Sequence, residues 1–356
     1  MPWKGMNMAT SDAICIFGAL EISEHLEDMR KEVQGVKEAA DIEYIHRMRV
    51  ASRRMRSALD AFEDCFGKKE YRRILKDARR VTRALGEARD LDVQLELLDK
   101  ELPNYDSPRL APGLKRLQMR MQNKREEAQK HVIAAMERME KDKVLDQIEA
   151  WAKPLAEQAG AVYLFSPALY NLAFEAVNEE VDEFLEHEAL IFDPANVTEL
   201  HEMRIAAKHL RYTLEIFEEI YSGRAKPYIE QIKKIQDQLG NIHDLDVWIE
   251  LIPQFIEEER ERIVAYFEHD RPLRRLMPGL DAFKANKEAE RQAQYEEFIE
   301  GWQKMSGKGT LEKLLRLVSA PLNIEAVMEA LDKVEQANEA QETSTDALTG
   351  PEADPA

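Results

Sequence analysis

One pattern occurs twice in this chain, and hydration alone does not favour it. Ile45-His46-Arg47-Met48-Arg49-Val50 continues through Arg53-Arg54-Met55-Arg56. Leu200-His201-Glu202-Met203-Arg204-Ile205 continues through Lys208-His209-Leu210-Arg211-Tyr212. At about 100° per residue, His46, Arg49, Arg53 and Arg56 share one helical stripe, with Met48, Ala51, Met55, Leu59 and Phe62 behind them. The second copy sets His201, Arg204, Lys208 and Arg211 over Met203, Ala206, Leu210, Leu214 and Phe217 in the same way. Like charges at i, i+3 and i+4 repel by a few tenths of a kcal/mol per exposed pair. A solvated face relieves this by alternating sign, as Glu137, Arg138, Glu140, Lys141, Asp142 and Lys143 do. Neither stripe meets an acid on its own face before Asp60 or Glu215. An apolar back with a purely cationic front points to a helix that meets an anion.

A second motif repeats in step with the first. Leu85-Gly86-Glu87-Ala88-Arg89-Asp90-Leu91-Asp92-Val93 matches Leu239-Gly240-Asn241-Ile242-His243-Asp244-Leu245-Asp246-Val247. The offset is 154 (239 − 85), against 155 (201 − 46) for the first motif. Two motifs in one order at nearly one offset indicate a duplication. Gly86 and Gly240 read as helix breaks, and Asp90, Asp92, Asp244 and Asp246 as helix caps or partners of the cations. The helix ahead of Gly86 carries a further basic stripe, Arg72, Lys76, Arg79 and Arg83. Its counterpart is diluted to Lys226, Glu230, Lys233 and Asp237, with Lys234 alongside, so the N-terminal half is expected to bind an anion more strongly. Asp41 is a plausible cap for the first basic helix. Pro112-Gly113-Leu114 and Pro278-Gly279-Leu280 each open a long helix, which makes Arg125 and Arg291 correspond. Alternating β-branched runs are few. The expected fold is all-α, two pseudo-twofold-related helical bundles with a basic channel between or along them. Residues 1–20 read as a loose lead, 21–160 and 165–320 as the two halves with a junction from Trp151 to Pro167, and 321–356 as an acidic, disordered tail.

Composition narrows the function classes. The net charge of −19 over 356 residues argues against nonspecific coating of nucleic acid. Residues 44–83 are nonetheless strongly cationic, which suggests a confined anion site. Cys15 and Cys65 form neither a metal pattern nor a disulfide framework, so a reducing compartment is expected. No apolar run is long enough to span a bilayer. Residues 13–20 form a short apolar stretch without a basic lead or a clean cleavage site, which argues against secretion. A cytoplasmic location is expected.

These paired motifs resemble those of the CHAD family, the conserved-histidine α-helical domain. The likeness rests on Ile45-His46-Arg47-Met48-Arg49-Val50 with Arg53-Arg54-Met55-Arg56, on Leu200-His201-Glu202-Met203-Arg204-Ile205 with Lys208-His209-Leu210-Arg211-Tyr212, and on the two Leu-Gly…Asp-Leu-Asp-Val segments. It covers roughly residues 20 to 320. The resemblance implies helical bundles enclosing a basic channel for inorganic polyphosphate, and association with polyphosphate granules. It also implies a stand-alone domain, since the alternating Glu-x-Glu-x-Lys motif of a triphosphate-tunnel domain does not occur.

The residues suit that ligand. Arginine's planar fork gives two charge-assisted hydrogen bonds to one phosphate, and lysine adds a movable point charge. The stripe from His46 to Arg56 spans about 15 Å at 1.5 Å per residue, enough for several phosphates. His46 and His201, with a reference pKa near 6.5, would donate when protonated, so tighter binding is expected at pH 6 than at pH 8. Candidate contacts are therefore His46, Arg49, Arg53, Arg56, Arg72, Lys76, Arg79, Arg83, Arg125, His201, Arg204, Lys208, Arg211, Lys233, Lys234 and Arg291. No cofactor, resident metal or catalytic constellation is expected. Three alternatives remain. His243-Asp244 resembles the metal pair of helical phosphohydrolases, although the first repeat has Arg89-Asp90 there. Nucleic acid is disfavoured by the scarcity of aromatics in the stripes. In a helical scaffold, the cations would pair with internal acids such as Glu179, Glu180, Asp182 and Glu183.

Overall fold

The computed structural model describes residues 10–39, 41–159 and 166–320. Ten α-helices make up most of it, and there is no strand among the described residues. The first five are α1 (Thr10–Glu38), α2 (Ile42–Ala61), α3 (Lys68–Glu101), α4 (Ala111–Lys141) and α5 (Val144–Ala156). The second five are α6 (Pro167–Glu186), α7 (Val197–Ile216), α8 (Lys226–Phe267), α9 (Met277–Gly307) and α10 (Thr310–Val318). The fold is all-α, and the basic motifs fall on α2 and α7. Asp41 caps α2 by accepting from the Glu43 backbone N–H at 3.0 Å.

Burial follows the apolar backs of these helices. Met48, Met55, Leu59 and Phe62 of the first motif, and Met203, Leu210, Leu214 and Phe217 of the second, are fully buried. One core gathers α1–α5 and a second gathers α6–α10. A third core joins the two sets, with Leu98, Leu114 and Leu117 packed on Trp248, Phe255 and Phe283. Phe17, Phe62 and Phe217 add an aromatic contact between the sets, with centroids 5.9 to 6.1 Å apart. Two buried charges cross the same divide. Glu259 of α8 is fully buried and takes both Arg116 (2.6 Å) and Arg120 (2.8 Å) of α4, while Lys287 of α9 pairs with Glu101 of α3.

Several expectations need correction. Residues 10–20 are not a loose lead but the opening turns of α1, with Ile16 and Phe17 in the core. Trp151 belongs to α5 rather than to a junction, and stacks on Phe66 at 3.9 Å. Gly86 and Gly240 break nothing: α3 and α8 run through them. A glycine costs roughly 1 kcal/mol within a helix, which is small beside the apolar face that each long helix buries. Asp90, Asp92, Asp244 and Asp246 therefore lie mid-helix and cap nothing. Cys15 and Cys65 are joined in a disulfide, with Cα atoms 5.4 Å apart across a sequence separation of 50. The packing of α1 against α2 and the turn after it creates that proximity, which no local spacing could reveal. The bond removes the premise for expecting a reducing compartment. No helix among the described residues is long and apolar enough to cross a membrane. The expected acidic tail lies outside the described residues.

The glycines divide into two kinds with opposite consequences. A Cβ at Gly113 would overlap the backbone carbonyl oxygen of Leu276, and one at Gly279 that of Leu110. These residues mark the crossing where α4 and α9 touch backbone to backbone. Cβ atoms at Gly86 and Gly240 would stand 3.8 Å from the Nε atoms of Arg49 and Arg204, an ordinary contact. Gly113→Ala and Gly279→Ala should each lower stability by about 1–3 kcal/mol, as overpacking does. Gly86→Ala should raise it by roughly 0.5–1 kcal/mol. Denaturant midpoints measure both, and shifts of the same sign at all three positions would contradict the crossing.

Candidate functional site

The apolar backs of α2 and α7 are anchored in their own cores, so their fronts turn toward each other. Arg53 of α2 holds its guanidinium carbon 5.1 Å from the Tyr212 ring centroid on α7, and Arg211 covers the same ring at 4.6 Å. Arg54 crosses to Glu215 at 3.3 Å, and Arg211 pairs with that carboxylate at 2.8 Å. The two stripes thus face one cleft.

The charges in this cleft act on one another. Burial, followed by Arg53, Arg204, Arg56 and Arg49, pulls the Lys208 pKa down to about 8. Burial is also the chief reason that the Arg53 and Arg204 guanidinium pKa values fall. Neighbouring arginines lower them further, while Asp244 works the other way at Arg204. Arg53, Arg56, Arg204 and Lys208 have no carboxylate within ion-pair distance among the described residues. The Nε atoms of Arg53 and Arg56 are buried without a hydrogen-bond partner. Each such donor costs about 1–3 kcal/mol. Arg49 is only loosely engaged, 3.5 Å from an exposed Asp90.

The remaining candidates divide between the edge of this cleft and places away from it. Tyr71 donates its hydroxyl to Asp60 at 2.8 Å, Thr82 meets Ser52 at 3.4 Å, and Gly86 faces Arg49. Helix α3 therefore runs antiparallel to α2, and its exposed, unpaired Arg72, Lys76, Arg79 and Arg83 run back along the first stripe. Lys233 and Lys234 are exposed on α8. Lys233 lies one turn from Gln236, which accepts from Arg211 Nε at 2.8 Å. Arg125 and Arg291 are not in the cleft. They pair with Asp92 (2.5 Å) and Asp246 (2.8 Å), tying α4 to α3 and α9 to α8, because both are directed into helix–helix seams.

The histidines differ from expectation. His46 and His201 have pKa values lowered first by burial and next by Arg89 and Arg204 respectively. Both effects disfavour the charged imidazolium in the free protein. His201 Nδ1 lies 3.1 Å from His243 Nδ1, and burial together with Arg204 brings the His243 pKa to about 4. One neutral ring donates to the other.

Beside Arg53, Arg56 and Lys208 the cleft opens into a cavity of about 490 Å³. Its opposite wall is α6, with Glu175, Glu179, Glu180 and Glu183. Although these acids share the cavity, none pairs with Arg53, Arg56 or Lys208, so the pairing required by a scaffold is not made there. Tyr212 was missed as a site residue. Its ring carries two guanidinium groups, and its buried hydroxyl has no partner. The only sequence signal was a tyrosine in the slot where the first copy has Ser57.

Comparison with known proteins bears on this geometry. The CHAD domain family matches residues 21–253. Among solved structures, the CHAD domain from the plant Ricinus communis is 26% identical, with a TM-score of 0.53 over 79% of this chain and 92% of that one. PptA from Streptomyces chartreusis is 17% identical, with a TM-score of 0.59 over 82% of this chain and 99% of that one. The second likeness speaks to the fold alone. No curated protein matches the sequence at a significant level.

Lys208 provides a test of the cleft's electrostatics. Its folded pKa lies below its unfolded value, so its charge opposes folding fully below pH 8. That penalty fades as pH rises toward the ordinary lysine value. Lys208→Met should stabilise the protein by about 1 kcal/mol or more at pH 7, with the gain shrinking toward pH 10. Melting curves at the two pH values measure it, and a destabilised variant would mean that the lysine is paired.

Proposed function

The chain belongs to the CHAD domain family, some members of which bind polyphosphate, and we propose that it binds inorganic polyphosphate without transforming it, in the cleft between α2 and α7. The observation that carries this reading is the set of buried, partnerless guanidinium nitrogens of Arg53 and Arg56, drawn from one half and set against Arg204 and Lys208 of the other. A phosphoryl chain offers a charge on every unit and oxygens for every orphan donor, and so removes the repulsion and the unsatisfied hydrogen bonds together. Arg72, Lys76, Arg79 and Arg83 would extend the track along α3, with Lys233 and Lys234 at the far edge. Tyr212 holds Arg53 and Arg211 in place by cation–π contact. His46 and His201 would contribute ring N–H donors. Residence at polyphosphate granules would follow from such binding. The recurrence of equivalent contacts, Gly86 beside Arg49 and Gly240 beside Arg204, supports an origin by duplication.

Calorimetric titration with size-defined polyphosphate tests the reading. Wild-type protein should bind with an affinity that rises with chain length and falls with salt. Arg53→Ala/Arg56→Ala should lose at least about tenfold while remaining folded, since each charge-assisted hydrogen bond is worth about 1.5–3 kcal/mol. No binding to folded wild type would refute the proposal, and equal displacement by single-stranded RNA would move the reading to nucleic acid.

The pH profile is specified as well. An anion favours charged Lys208, so affinity should fall as pH rises above about 8. Lys208→Arg should remove that fall. A fall that persists in Lys208→Arg would instead assign the charge change to another group of the cleft.

A further inference from the structure

On the wall of the cleft cavity opposite the arginines, Glu180 and Glu183 stand one turn apart on α6 and face His209 of α7. One donor atom from each of the three lies within 4.8 Å of the others. We propose that Glu180, Glu183 and His209 form a binding site for a first-row divalent metal ion, Mn²⁺ or Zn²⁺, at the side of the anion cleft.

Two carboxylates and one imidazole balance a divalent charge and provide the mixed oxygen and nitrogen set that such ions accept. The site is short of a partner in its present state. Glu180 receives a single 3.4 Å contact from Thr213 through Oε1, while its Oε2 is buried with no hydrogen-bond partner. The Tyr212 side chain, 3% exposed, lines the same cavity, and its hydroxyl is also partnerless. A cation between the three would relieve the repulsion between the carboxylates and satisfy the orphan oxygen. Lys208 and Arg56 oppose a cation here, and the two carboxylates outweigh them only at close range. That favours a directly coordinated ion over a loosely held one. The site is separate from His46 and from the His201–His243 pair.

Three protein ligands leave coordination positions open, and the cavity connects them to the wall of Arg53, Arg56 and Lys208. An ion held there could take a phosphate oxygen as a further ligand. That last step rests on the polyphosphate reading, whereas binding of the metal does not, so the two can fail separately.

The test is calorimetric titration of chelator-stripped protein with Mn²⁺ and with Zn²⁺, in buffer free of phosphate. Wild type should show one saturable site for at least one of the ions. Glu183→Gln, at an exposed position where removal of a like charge does not threaten folding, should weaken it at least tenfold, and so should His209→Gln. Glu175→Gln, in the same cavity but outside the triad, should bind as wild type does. Absence of saturable binding to wild type, or undiminished binding by Glu183→Gln, would overturn the proposal. An equal loss in Glu175→Gln would also overturn it, by showing only a diffuse acidic surface.

Discussion

Repulsion between like charges held in a half-buried cleft is the constraint on which this structure turns. Arg53, Arg56, Arg204 and Lys208 occupy positions where water is restricted, and no acid among the described residues pairs with them. Coulomb energy between unit charges grows as the effective dielectric falls, so such a cluster costs more here than on an open face. The Lys208 pKa of about 8, lowered first by burial and then by the surrounding arginines, includes that cost. The arrangement persists because the opposite faces of the same helices bury methionine, leucine and phenylalanine. Packing holds the charges where electrostatics alone would separate them.

The rest of the molecule supplies the rigidity that this requires. The third core, the backbone crossing at Gly113 and Gly279, and the buried Glu259 and Lys287 pairs all join the first five helices to the second five. If this junction slackened, α2 and α7 could move apart and the repulsion would relax. Arg125 and Arg291 serve this framework rather than the cleft. Each ties a long helix to its neighbour through an aspartate of the second repeated motif.

A site pooled from both halves suits a polymeric anion better than a small one. The α2 front and the exposed stripe on α3 offer donors along two neighbouring helices rather than in a closed pocket. The acids on α6 give the cleft a second character. They sit opposite Arg53, Arg56 and Lys208 without pairing with them.

How much of this could be read from the chain follows from the range of each interaction. Helical period put Met48, Met55, Met203 and Leu210 on buried faces and His46, Arg49, Arg53 and Arg56 on one front. Those are local properties of a 3.6-residue repeat, and the sequence by itself determined them, together with the all-α class. Gly86 and Gly240 were misread as breaks because local propensity, worth about 1 kcal/mol, was overruled by packing along α3 and α8. The tertiary structure alone decided that the two fronts share one cleft, that Cys15 meets Cys65, and that Arg125 and Arg291 turn into helix seams. It also decided which charge states His46, His201 and Lys208 favour. Burial and neighbouring charge set those states, and both depend on what the fold brings near from far along the chain.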